Sequence, residues 1–130
     1  MGTIVADHQH GTGTMRGVNR AVVVLHPKQP FIDWARVQSA GPKDAILEHA
    51  SEPVHAYLVP GVPDDLDYDK LLRRYYGEMF RVELAAWVTD EDCWPKKRDL
   101  KAFKEWFAPD VLELVFDLTD NKLVALPVEE

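Results

Sequence analysis

Apolar residues in this chain fall into short runs and helical periodicities, separated by Pro, Gly and Asp. The first run, Ala21-Val22-Val23-Val24-Leu25, is β-branched and too short for a helix. It predicts a buried strand that ends at His26-Pro27. Pro30 suits the first turn of a helix, where a missing N–H costs no bond. Phe31, Trp34, Ala35 and Gln38 then follow at helical spacing. Ser39-Ala40-Gly41-Pro42 breaks this helix, and Pro42 opens a short second one through Ala45, Ile46 and Leu47.

Val54–Val59 predicts the next strand, stopped by Pro60-Gly61-Val62-Pro63. Asp64, Asp65, Asp67 and Asp69 crowd the start of a helix, where carboxylates accept from free N–H groups and favour the dipole. The longest periodic stretch follows, with Leu72, Tyr75, Tyr76, Met79, Phe80, Leu84 and Trp87 on one face. Arg73, Arg74, Glu78 and Arg81 mark the wet face. Gly77 costs about 1 kcal/mol against alanine there, so it implies close packing or a bend. A further helix is expected over Asp99–Phe107, with Leu100, Phe103, Trp106 and Phe107 inward and Ala108-Pro109-Asp110 as its stop. Leu112–Leu118 alternates and predicts a strand with one wet face. Lys122–Val128 is either a fourth strand or an edge tail.

This order predicts an α/β or α+β two-layer sandwich, with a small sheet of three or four strands and helices mainly on one face. Strand directions stay open, although the first two strands are far enough apart for a right-handed crossover. At 130 residues the chain is expected to hold one domain, residues 19–130. Residues 1–18 carry four of the seven glycines and two of the five histidines, and are expected to form a flexible arm.

Charge and cysteine usage narrow the function classes. The net charge of −7 argues against nonspecific nucleic-acid binding, which needs Lys and Arg on phosphates. A single cysteine cannot form an internal disulfide. No apolar run approaches the roughly 20 residues of a membrane helix, and no secretory layout opens the chain. A cytoplasmic protein without membrane contact is the expectation.

The candidate chemistry concentrates in Trp87–Phe107, which holds three of the four tryptophans and Cys93. Asp90-Glu91-Asp92 and Lys96-Lys97-Arg98 flank Trp94-Pro95. Trp94 lies at a break between helices, where it is expected to be partly exposed and to anchor an interface. The leading reading is therefore a non-catalytic protein-binding or adaptor domain using Trp94, Asp90, Asp92, Lys96, Lys97 and Arg98. The alternative is a small enzyme or ligand-binding protein, with His26, Lys28, Asp33 and Trp34 beyond the end of the first strand. His55, Asp90 or Asp92 would then supply further acid–base chemistry. A homo-oligomer burying its Trp-rich surface is the third reading.

The remaining signals are weaker. Asp90-Glu91-Asp92 lacks the spacing of a calcium loop and reads as a cap or connector. His8 with His10, and His49 with His55, have no zinc spacing, so neither a metal nor a cofactor is expected. Cys93 has cations nearby but no histidine close in sequence, and reads as inert.

Two segments also carry a resemblance. Lys28-Gln29-Pro30-Phe31-Ile32-Asp33-Trp34 follows the first strand, and Trp94-Pro95-Lys96-Lys97-Arg98 precedes Phe103, Glu105, Trp106 and Phe107. Together they resemble a family of small uncharacterised bacterial proteins, over roughly residues 19–120. The resemblance implies a stand-alone bacterial domain and assigns no catalytic residue.

Overall fold

The structure is a computed structural model, and it describes residues 16–38, 50–61 and 67–127. The elements run β1 (Arg16–Gly17), β2 (Arg20–Pro27), α1 (Gln29–Gln38), β3 (Ala56–Pro60), α2 (Tyr68–Ala85), α3 (Leu100–Trp106), β4 (Phe107–Leu112) and β5 (Phe116–Asp117). A 3₁₀ turn, Glu91–Cys93, lies between α2 and α3. Expectations for His8, His10, His49, Asp64, Asp65 and a helix after Pro42 fall outside the described residues.

Three strands form an antiparallel sheet in the order β3-β2-β4. In the register, Val22 stands between Leu58 and Leu112, and Val24 between Ala56 and Asp110. The crossover that the spacing permits is not used: β2 and β3 pair antiparallel. Strands β1 and β5 pair antiparallel as a separate two-stranded sheet. Residues 113–115 and 18–19 lie outside the strands and join the two sheets along the chain. Val18 N–H donates to the Val115 carbonyl at 3.0 Å between these segments.

The inner face of β2 carries Ala21, Val23 and Leu25, all fully buried. They form one core with Phe31 and Ala35 of α1, Leu72, Met79, Phe80 and Leu84 of α2, Phe103 of α3, and Phe107. The helices therefore pack on one face of a small sheet, as a two-layer α+β sandwich.

Local chemistry explains the helix ends. Asp67 caps α2 by accepting from Lys70 N–H at 3.2 Å, and Asp99 caps α3 by accepting from Ala102 N–H at 2.9 Å. Helix α2 ends at Ala85, so Trp87 lies beyond it. The largest correction concerns Ala108-Pro109-Asp110. These residues do not stop the chain but form the middle of β4, opposite His26, Leu25 and Val24. Strand β4 is an edge, and an edge strand tolerates a proline with no N–H to give. Residues 113–115 then interrupt the predicted Leu112–Leu118 strand. Its apolar positions Leu112, Leu114 and Phe116 face outward and are exposed. Residues 122–127 follow without a ladder partner and are exposed throughout.

Candidate functional site

The segment from Val88 to Arg98 wraps beside α2 and is held by two indoles. Trp34 donates from Nε1 to the Cys93 carbonyl at 2.9 Å. Trp94 donates from Nε1 to the Val88 carbonyl at 2.7 Å. Trp94 was expected to be a partly exposed anchor, yet it is only 7% exposed and belongs to the core. The reason is local: its own carbonyl neighbourhood satisfies the indole N–H, so the ring can turn inward. Trp34, Trp87 and Trp106 are half-buried against Phe31, at centroid separations of 5.7, 6.4 and 6.2 Å.

What remains accessible is a rim. The Arg98 guanidinium lies over the Trp94 ring, 5.4 Å from its centroid, and donates to the Pro95 carbonyl at 2.7 Å. A cleft of about 450 Å³ opens there, lined by Gly77, Phe80, Arg81, Glu91, Trp94 and Arg98. Gly77 does not pack closely against a neighbour. A Cβ built on it would meet nothing within 4 Å, so its absence leaves open space on the α2 side of the cleft.

Of the residues expected to bind a partner, the structure brings Trp94 and Arg98 into this cleft. Lys96 and Lys97 are exposed beside it. Asp90 is a cap: its carboxylate accepts from Asp92 N–H at 3.0 Å, which starts the 3₁₀ turn. Asp92 and Cys93 are exposed. The spacing of the sequence could not show that Arg81, eleven residues before Asp92, lines the same cleft. The unexplained Gly77 within a helical pattern was the only hint.

The residues of the alternative site take separate partners. His26 is exposed on the outer face of β2, with Nε2 3.5 Å from Asp110. Lys28 caps the C-terminus of α3, its backbone N–H donating to Trp106 O at 2.8 Å and its ammonium to Lys104 O at 2.9 Å. Asp33 accepts from Gln29 Nε2 at 2.8 Å and lies 3.9 Å from Arg36 along α1. Trp34 points to Cys93. Together they tie α1 to β4, α3 and the connector; they do not aim at one point.

No family model, curated protein or solved structure matches the chain. The functional reading therefore rests on geometry.

A second polar cluster was not foreseen. Glu83 lies on the buried face of α2, only 5% exposed. One of its oxygens, Oε2, accepts from the Tyr57 hydroxyl at 2.5 Å and lies 3.0 Å from His55 Nδ1. Burial, and then the bond to Glu83, push the Tyr57 hydroxyl well above its ordinary value. Tyr57 is thus a fixed donor rather than a base. The cluster binds β3 to α2 and satisfies a carboxylate that would be costly to bury alone. Glutamate at a helical position reads as solvated, so the sequence carried no signal for it beyond its i+4 spacing from Met79.

Proposed function

We propose that this chain is a non-catalytic protein-binding domain whose recognition element is the cleft between α2 and the Glu91–Arg98 segment. The single observation that carries the reading is the stacking of Arg98 on Trp94 at the mouth of a cleft left open by Gly77. A guanidinium held against an aromatic ring loses little freedom when it binds, and it keeps its N–H fork for a carboxylate. Arg81 adds a second guanidinium on the same lining, with Lys96 and Lys97 alongside. Glu91 is the lone acid of that lining, so the cleft favours an acidic side chain from a partner segment. Trp94 contributes as the buried platform under Arg98, not as a protruding anchor. A cytoplasmic setting belongs to this reading, supported by one exposed cysteine with no second cysteine in the chain.

The test is a peptide-library selection on the full chain, with Gly77→Gln as the blocked cleft and Gly77→Ala as its control. Acidic peptides should bind the native chain and Gly77→Ala, and be lost from Gly77→Gln and Arg98→Ala. Peptides that bind all four proteins equally would place recognition elsewhere.

A further inference from the structure

Resting on the cleft reading above, we propose that the acidic group this cleft takes from a partner protein is a phosphomonoester, a phosphorylated side chain held by Arg81 of α2 and by Arg98.

The lining holds more positive charge than a carboxylate needs. A carboxylate presents two oxygens and one charge, which a single guanidinium fork matches. Two guanidiniums line the cleft, those of Arg81 and Arg98, beside one acid, Glu91. Among the described residues neither arginine is ion-paired, to Glu91 or to any other acid. Arg98 donates from Nη1 to the Pro95 carbonyl and lies on the Trp94 ring, which fixes its plane and leaves it further N–H donors. A phosphomonoester brings a charge of about −1.5 to −2 and three acceptor oxygens, enough to bond both guanidiniums at once. Helix α2 strengthens the positive potential. Lys70, Arg73 and Arg74 are exposed at helical spacings that put them on one stripe with Gly77 and Arg81. Between Lys70 and Arg81 the sole acid is Glu78.

The surroundings restrict the negative charge to one point. Asp90, Glu91 and Asp92 are exposed on the segment that borders the cleft, and the whole chain carries a net charge of −7. A nucleic-acid strand or an anionic lipid surface would bring a row of phosphates against these acids. One phosphate entering a cleft of about 450 Å³ meets a single acid in its lining, Glu91. The open space at Gly77 admits the stem that carries the phosphate, and Phe80 and Trp94 offer that stem an apolar wall. Local positive charge inside an acidic molecule therefore suits a phosphorylated side chain on a protein segment.

The experiment is fluorescence-anisotropy titration of the full chain with peptide libraries of random flanks. Their central position is fixed as phosphoserine, phosphotyrosine, Glu or Ser. At least one phosphorylated library should bind the native chain ~10-fold or more tightly than the Glu library. Arg81→Gln should weaken the phosphorylated library at least ~10-fold and the Glu library no more than ~3-fold, which removes the preference. Arg81→Lys, which keeps the charge and loses the fork, should fall between and serves if Arg81→Gln fails to fold. Arg36→Gln on α1 removes the same charge outside the lining and should keep the preference. Glu and phosphorylated libraries that bind equally overturn the phosphate proposal while the cleft reading survives. Failure of every library to bind overturns both. A phosphate preference that Arg81→Gln leaves intact overturns it as well. Inorganic phosphate that binds as tightly as the phosphorylated peptides would make the free anion the occupant, against the proposal. Phosphatidylserine vesicles that bind where the peptides do not would assign the arginines to a lipid surface and also overturn it.

Discussion

The two faces of the β3-β2-β4 sheet are made of the same residue types and have opposite fates. On the inner face Val23 and Leu25 are sealed by Phe31, Phe80, Phe103 and Phe107, whose rings stack at centroid separations of 5.0 to 5.8 Å where they meet. On the outer face Leu58 and Leu112 stand half open. Hydrophobicity alone does not decide burial: the inner face is covered because three helices of the same chain carry apolar stripes to meet it. The outer face has no such stripe among the described residues.

The contrast can be broken by substitution. Trp94→Ala should cost about 3–5 kcal/mol, since it empties a buried aromatic site and orphans the Val88 carbonyl. Urea denaturation reads this directly, and a loss below about 1 kcal/mol would return Trp94 to the surface. The matched pair Leu25→Ala and Leu112→Ala sharpens the comparison on adjoining strands. In dilute protein the first should cost about 2–5 kcal/mol and the second within about 0.5 kcal/mol of nothing. Equal losses would mean that both faces are covered within one chain.

The polar tie between β3 and α2 should matter less than the core. Tyr57→Phe removes one hydrogen bond to a buried carboxylate and should cost about 1–3 kcal/mol at neutral pH. The pH dependence has a definite sign. Tyr57 holds its proton more tightly folded than unfolded, so its contribution is complete below about pH 10 and declines as pH rises beyond it. Native stability should therefore fall more steeply than that of Tyr57→Phe in alkaline denaturation scans. Parallel curves would show that the hydroxyl is not linked to folding. Smallest is Gly77→Ala, expected to stabilise by about 0.5–1 kcal/mol, because helix propensity improves and the new methyl meets no neighbour. A lower melting temperature would mean that the cleft is closed where the structure leaves it open.

Much of this layout is legible from local pattern. The β2 run, the proline-led α1, the periodicity of α2 and the caps Asp67 and Asp99 all act within one turn or one strand, and sequence records such effects. Long-range effects were hidden. Ala108-Pro109-Asp110 reads as a breaker, and only its place on a sheet edge makes it a strand. Glu83 reads as wet, because Tyr57 and His55 reach it from 26 and 28 residues away. Trp94 beside a proline reads as exposed until its indole finds Val88. The antiparallel order depends on pairing Val22 with both Leu58 and Leu112, which no local rule specifies. For the cleft, Arg98 and Trp94 were legible as neighbours, whereas Arg81 and Gly77 join them only through the packing of α2.

The most direct test of the cleft reading is titration of an acidic peptide, selected on the native chain, against the native chain, Gly77→Ala and Gly77→Gln. The account predicts equal binding to the first two and loss of binding to the third, whose side chain fills the open space beside Trp94 and Arg98. Binding that Gly77→Gln leaves unchanged would contradict it.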